Sequence, residues 1–548
     1  MVKWIKNYFV NGEKSSESIT RSAALIAVMG LASRFLGLFR DRILASKFGA
    51  GDVMDVYYAA FKIPDLVYGL LVLGVLSAAF VPVFSSLISQ KKKKEAWELV
   101  NAILSIGATA LIVISIVLFI FAPGLVSLIA FGFEESKQEL VVILTRIMLL
   151  SPIFLGMSGI MGGILNSYKK FFFYSLAPIF YNVGIIVGAV FLVDTMGPAG
   201  LGWGVVLGAA LHLLIQLPEV FRCGMRFKPS FSFKNIHLKQ VGGLMIPRAM
   251  GLAVTQINFL IVTVLASTLE SGSLAIFNFA NNLQSVPMGL FGISFAVASF
   301  PILTSLWAQK KTDEFIIRFT NTFRKIIFFI IPLSAMIFVL RAQIVRVVLG
   351  TGRFDWEATH LTFEALGIFA FSLWAQSIIP LLARSFYAIH NTKIPFFTGV
   401  FSEVLNLTLA LILIKEHGIL GLVWAFTIST CVNAALLFVI LRLKIGTFGV
   451  RSLVLFVGKI VLATFFSLII AQIIKNLVGA NPFGEERTFL GVFTQMIIAL
   501  FGGLGTFVFV GRSLNIFELD HFISVAKNKL FAKKPLPEEQ RDEVGGVG

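Results

Sequence analysis

The sequence predicts an all-α polytopic membrane protein of about fourteen transmembrane helices: two six-helix lobes in parallel pseudo-two-fold repeat, plus two C-terminal helices. Three observations carry this. First, of 548 residues 57% are hydrophobic and only 14% charged, against roughly 25% charged in soluble domains. Second, apolar stretches of about 20 residues, enough to cross ~30 Å of hydrocarbon as a helix, recur along the chain, and no alternating strand pattern suggests a barrel. Third, short motifs return at a near-constant displacement.

Residues 1–21 are polar and basic, and no short apolar run with a small-residue cleavage site follows them, so they read as a cytoplasmic segment and not a cleaved leader. Apolar periodicity then places helices at 22–48, 53–89, 99–121, 138–167, 173–194 and 200–222, forming a first lobe over 22–222. A basic linker occupies 223–239. A second lobe over 240–443 has helices at 240–268, 273–307, 320–346, 361–390, 394–415 and 420–443. Helices at 452–476 and 488–511 complete a C-terminal pair within 444–511, nearly free of charge between Leu453 and Ile474. Residues 512–548 form a cytoplasmic tail whose end, from Pro535, has a disordered composition. The second and eighth helices are too long for one straight span, and Pro64, Pro82, Pro287 and Pro301 are their expected bends.

Met29-Gly30-Leu31-Ala32 returns as Met250-Gly251-Leu252-Ala253, and Leu44-Ala45-Ser46 as Leu265-Ala266-Ser267, both displaced by 221 positions. Pro82, Tyr168 and Leu201-Gly202 return as Pro301, Tyr387 and Leu420-Gly421, displaced by 219. Six helices is an even number, so the repeats share an orientation; such parallel repeats are a transporter architecture with the substrate site between lobes.

Basic residues orient the chain. Lys91 to Lys94, Lys169-Lys170, Arg222 to Lys239, Lys310-Lys311, Lys393 and Arg442 to Arg451 fall on one side, with Lys527, Lys529, Lys533 and Lys534. The opposite connections hold Glu134-Glu135, Asp194, Glu270, Asp355, Glu357, Glu416 and Glu485-Glu486. The positive-inside rule then places both termini in the cytoplasm. The net charge of +17 is topology plus attraction to anionic lipid, and requires no nucleic acid.

The chemistry-bearing residues cluster in the first helices. Arg34, Arg40 and Asp41 sit inside an apolar segment, where an ionisable group costs about 2.5–3.5 kcal/mol on insertion scales and persists mainly along a polar pathway. At the repeat displacement of 221 their counterparts are Thr255, Ile261 and Val262, so the charge belongs to one lobe. Interlobe salt bridges or snorkelling are the plainer readings of the arginines, and Asp41 can simply neutralise Arg40 or Arg42. Asp55 and Lys62, seven residues apart, share a helical face, and Asp65 stands beside Pro64. Glu403 with Asn406 is a candidate site for a coupling proton or monovalent cation; the alternative is a structural pair. Cys223 and Cys431 read as small buried hydrophobes. No metal-ligand spacing, phosphate loop or nucleophile–base motif occurs, so neither a metal nor another cofactor is expected, and an intramembrane enzyme is the weaker reading.

Residues 32–41 (ASRFLGLFRD), 48–51 (FGAG), 55–66 (DVYYAAFKIPDL), 78–84 (AAFVPVF), 164–171 (ILNSYKKF), 177–182 (APIFYN) and Pro218 resemble the MurJ (MviN) lipid II flippase family. The likeness continues through Pro247, 273–292 (SLAIFNFANNLQSVPMGLFG), 344–354 (IVRVVLGTGRF) and 384–395 (RSFYAIHNTKIP), from about residue 20 to 510. The resemblance implies the fold of the multidrug/oligosaccharidyl-lipid/polysaccharide exporter superfamily, in a bacterial inner membrane. It further implies alternating access and a cationic cavity for the lipid II head group, with C-terminal helices grooved for the polyprenyl tail. By motif, Arg34, Arg40, Asp41, Asp55, Lys62 and Asp65 match family positions, Asp65 standing where Asn is common. Guanidinium forks suit phosphate oxygens, and Lys adds a point charge. Implied partners are lipid II or another polyprenyl-diphosphate-linked saccharide, membrane lipids and cell-wall synthesis proteins. Departures are clear: Tyr68 and Leu73 replace a basic and an acidic residue, and Asn281-Asn282, with Ser285 beyond, replace an acidic–basic pair. Arg248 follows the seventh-helix proline where Ala is usual, so Arg248 and Asn282 join the candidate substrate contacts, with snorkelling the plainer reading of Arg248. A flippase for another lipid-linked saccharide, a drug or cation antiporter of the same superfamily, and a non-transporting scaffold stay open as alternatives.

Overall fold

The computed structural model describes residues 15–73, 80–232, 236–446, 449–479 and 488–531. No β-strand occurs among them. Helix α1 is Ser15–Phe48. Helix α2 is assembled from Asp52–Ala60, Lys62–Val67, a π-helical turn at Tyr68–Leu73 and, beyond 74–79, Val81–Ser89. There follow α3 (Lys93–Ile129), α4 (Glu135–Ser167), α5 (Phe171–Met196), α6 (Ala199–Arg222), α7 (Ile236–Ala266), α8 (Ser273–Ala308), α9 (Thr312–Val348) and α10 (Trp356–Ala388). Helix α11 (Lys393–Ile445) holds the two expected spans 394–415 and 420–443 on either side of Gly418, whose φ of 51° and ψ of −129° break it. Helices α12 (Val450–Gly479), α13 (Phe489–Ser513) and α14 (Phe517–Phe531) end the described chain. Among the described residues, ten helices are long and apolar enough to cross a membrane. The stretch from Pro535, expected to be disordered, lies outside the described residues.

The duplication continues in backbone detail. The π-helical turn Tyr68–Leu73 of α2 returns in α8 as Met288–Ile293, displaced by 220. Left-handed residues cap four helix ends in two pairs: Lys91 with Lys310, and Lys169 with His390. Each closes its helix by turning back on the last carbonyls, as Lys92 N–H does on Leu87 (2.9 Å) and Lys311 N–H on Leu306 (3.0 Å). Of the four prolines expected to mark bends, Pro82 lies in the first turn of Val81–Ser89 and Pro301 inside Ser294–Ala308. Pro64 and Pro287 just precede the π-helical turns, where a widened turn re-pairs the backbone that a proline leaves short of donors.

By contacts the chain divides into two compact units: residues 1–286, 344–372 and 391–436, and residues 287–343, 373–390 and 437–548. In the first, α5 and α6 pack through glycines; a Cβ on Gly184 would lie 2.2 Å from Gly208, so only glycine permits the approach. In the second, α12 and α13 form an antiparallel pair in which Ser467 Oγ donates to the Gly503 carbonyl (2.6 Å). Helix α14, which sequence patterning left inside the tail, is pinned to the same unit by Arg324 against Glu518 (3.6 Å) and by Phe522 against Phe329.

Candidate functional site

The first unit gathers the charged residues of α1 and α2. Arg40 donates through Nε (3.0 Å) and Nη2 (2.7 Å) to Asp41 Oδ1, and through Nη1 to Asn182 Oδ1 on α5 (3.1 Å). Asp41 is buried, and its other oxygen accepts from Asn282 Nδ2 of α8 (3.0 Å). Arg34 Nη1 reaches the Ser285 carbonyl, also on α8 (3.2 Å). Arg42 donates to the Val347 carbonyl. Asp41 therefore does neutralise Arg40, but its second oxygen also ties the first sequence half to the second.

The turn from α1 into α2 is clamped at the backbone. Arg353 N–H donates to the Ser46 carbonyl (2.8 Å), and a Cβ on Gly352 would fall 2.3 Å from that same oxygen. Gly272, at φ 90°, packs as closely on the Ala50 carbonyl. Asp55 completes the clamp. It is 1% exposed, and its carboxylate accepts from Gly272 N–H (2.8 Å) and Ala275 N–H (2.9 Å), capping the start of α8, and from Lys137 Nζ (3.0 Å). Lys137 also bonds Asp52 (2.6 Å), which accepts from Ser271 Oγ (2.7 Å). All the Asp55 contacts are thus with the clamp, and the cavity lining expected of it is not its arrangement here.

Two helical turns on, Lys62 is nearly buried and lies over the Phe259 ring (5.4 Å). The Asp65 carbonyl accepts from Gln256 Nε2 of α7 (2.9 Å), for which Gly69 leaves the room. The Asp65 side chain keeps exposed surface. Tyr57 and Tyr181 lie within electrostatic reach of both Asp65 and Arg40, and Tyr68 within reach of Asp65. The Tyr58 hydroxyl is buried without a hydrogen-bond partner among the described residues.

Apart from these, Glu403 of α11 accepts from Asn258 Nδ2 of α7, with Asn406, 2% exposed, beside it. Asn258 Oδ1 is buried and has no hydrogen-bond partner among the described residues. Arg248 lies in α7, its side chain outside the described residues. Sequence reasoning missed Lys137, Asn182, Gln256 and Asn258. Asn182 stood in a quoted motif (177–182), whereas nothing local distinguishes Lys137 from a surface lysine opening a helix.

A family profile described as the lipid II flippase MurJ matches residues 44–482. The lipid II flippase MurJ of Burkholderia cenocepacia is 29% identical over 429 residues, covering 76% of this chain and 83% of that protein. A probable lipid II flippase MurJ of Buchnera aphidicola from Acyrthosiphon pisum is 28% identical over 505 residues, covering 91% and 98%. Among solved structures, a lipid II flippase MurJ in an inward closed conformation superposes with a TM-score of 0.74 at 24% identity, covering 90% of this chain and 99% of that one. An inward-facing multidrug transporter of the MATE family and MOP superfamily gives 0.64 at 15% identity, covering 76% and 98%. These two likenesses speak for the fold.

Proposed function

Since the chain belongs to the lipid II flippase MurJ family, we propose that it carries lipid II between the leaflets of a bacterial inner membrane by alternating access, with its termini in the cytoplasm. It is a transporter and not an enzyme. One observation supports the mechanism: Arg40, the cation we assign to phosphate, is hydrogen-bonded to Asp41, which in turn accepts from Asn282 of the second sequence half.

In this conformation Arg40 spends two of its donors on Asp41. A diphosphate approaching Arg34 and Arg40 offers the guanidinium forks a better-matched, doubly charged acceptor. Taking Arg40 from Asp41 leaves a buried carboxylate with only Asn282, which a low-polarity surround penalises. Relieving that penalty requires Asp41 to reach water or another donor, which breaks its bond from Asn282 and releases this contact between the sequence halves. With the termini inside, the turn between α1 and α2 faces the periplasm, so head-group binding loosens the seal on the side of release. Lys62 and Asp65 face the path of the sugar-peptide, with Tyr68 where a basic residue is usual in the family. A monovalent cation or proton at Glu403, Asn258 and Asn406 supplies the coupling, and the unpaired Asn258 Oδ1 supports a cation there. Enzymes that make and consume lipid II are its partners in sequence.

The test is outer-leaflet lipid II in cells depleted of their own flippase and expressing this chain. Restored exposure that Arg40→Ala removes is the expected result. No restoration from a well-inserted chain overturns the assignment of lipid II, in favour of another polyprenyl-diphosphate-linked saccharide.

A further inference from the structure

The segment joining the two sequence halves does more than connect them. Helix α6 ends at Arg222, and Gly224, at φ 98°, turns the chain back along α3. Residues 225–232 have no helix of their own, yet their backbone is paired by side chains of α3. Asn101 Nδ2 donates to the Arg226 carbonyl (3.3 Å), Asn101 Oδ1 accepts from Lys228 N–H (3.2 Å), and Ser105 Oγ accepts from Ser230 N–H (3.0 Å). Such pairing is what non-helical backbone needs at the edge of a bilayer. Helix α3 has 37 residues, about 55 Å at 1.5 Å each and longer than the ~30 Å core, and this stretch packs within its first 13 residues, next to the basic start of the helix.

Just beyond, Ile106, Thr109, Ala110, Val113, Ile114 and Phe231 enclose an open apolar groove of about 380 Å³. Beside it Arg226 and Lys228 are exposed, and neither has a carboxylate partner among the described residues. Of the nearby acids, Glu219 is held by Arg222 (3.3 Å) and Lys170 (3.6 Å) and Glu95 by His237 (3.1 Å), while Glu98, one turn before Asn101, is exposed, so the cations keep a net excess over it of one. Phe227 and Phe231, 54% and 57% exposed, alternate with these cations as aromatic anchors do at a membrane interface.

We propose that this groove binds one anionic glycerophospholipid of the surrounding bilayer, its phosphate on Arg226 and Lys228 and an acyl chain along α3 against Phe231. Charge complementarity selects the anion, and the apolar groove selects a lipid over a soluble phosphate. The bound lipid fixes the linker to α3. The site requires only that the chain spans a membrane, and it shares no residue with the head-group cluster.

The experiment is a thermal unfolding titration of the full chain, purified in detergent, with added phosphatidylglycerol. Ligands that bind the native state raise Tm by mass action. Phosphatidylglycerol is expected to raise Tm, while phosphatidylcholine and free glycerol phosphate leave it unchanged. The double variant Arg226→Gln/Lys228→Gln is expected to shift the phosphatidylglycerol midpoint by on the order of tenfold. Phe231→Ala is expected to weaken the response, and Lys444→Gln, removing an exposed cation elsewhere, to leave it alone. An unmoved midpoint in the double variant, an equal shift in Lys444→Gln, or an equal response to phosphatidylcholine or glycerol phosphate each overturns the site.

Discussion

Helices α2 and α8 are two copies of one design that share a π-helical turn and divided the charge. Each has a π-helical turn at the same place, Tyr68–Leu73 and Met288–Ile293, and each ends on a left-handed lysine, Lys91 and Lys310. Yet Asp55, Lys62 and Asp65 of α2 correspond, 220 positions on, to Ala275, Asn282 and Ser285 of α8. The neutral copy is where charges of the first half land: Asp55 on Ala275 N–H, Asp41 on Asn282, Arg34 on the Ser285 carbonyl. Shape is therefore the shared property of the two helices, and charge is how the first half grips the second.

The largest break in this asymmetry comes from Asp55→Asn. Charge-assisted hydrogen bonds are worth about 1.5–3 kcal/mol, and this carboxylate accepts three. The clamp should open about 100-fold more often, read as labelling of Ser273→Cys (6% exposed in the parent) by an impermeant thiol reagent in a chain otherwise free of cysteine. The counterpart change Ala275→Ser should stay within about threefold of the parent, since its N–H remains. Equal effects at the two positions would mean that the charge is not one-sided in function.

Deleting one residue from a π-helical turn restores α-helical register. Removal of Leu71 from α2 and of Leu290 from α8 should each cut lipid II exposure by about tenfold, and to a similar extent, because both helices keep the turn. If only the α2 deletion matters, the shared backbone is a relic in α8 and the comparison holds for charge alone.

How much of this was legible beforehand follows from the range of each interaction. The apolar spans, the duplication and the charge of the first helix are local or periodic, and hydropathy with a fixed displacement reveals them. The Asp55 cap is not, because its donors are backbone N–H groups of Gly272 and Ala275 and no side-chain pattern marks them. Lys137 lies 82 residues from Asp55 and reads locally as an exposed helix start. Asn258 and Glu403 are 145 apart and meet only once α7 and α11 have packed. The π-helical turns have no propensity of their own; the nearby prolines flagged the right helices and a neighbouring spot. Asn282 was noted for the arginine it replaces, and its work for Asp41 became visible only with the fold.

Asn282→Ala sharpens the comparison at smaller scale. It removes a single neutral-to-charged hydrogen bond and leaves Asp41 with Arg40, so a loss of about fivefold in lipid II exposure is expected. An effect as large as that of Asp55→Asn would place the coupling in α8 and not in the α1 charges.

The smallest effect belongs to Asp52, which shares Lys137 with Asp55 but is largely exposed. The hydrogen bonds from Lys137 and then from Ser271 hold its carboxyl below the usual carboxylate range. A depressed value stabilises the closed clamp above the ordinary carboxylate value of about 4, and the contribution is lost only as pH falls through the lower, native value. Between pH 8 and 5 the Asp52 contribution should therefore be constant. Solvent screens this pair, so Asp52→Asn should raise Ser273→Cys labelling by no more than about threefold, equally at both pH values, against the same thiol in unfolded chain. Two carboxylates on one lysine then differ by more than tenfold in effect. What separates them is burial and the two backbone donors of α8, which reach Asp55 and not Asp52.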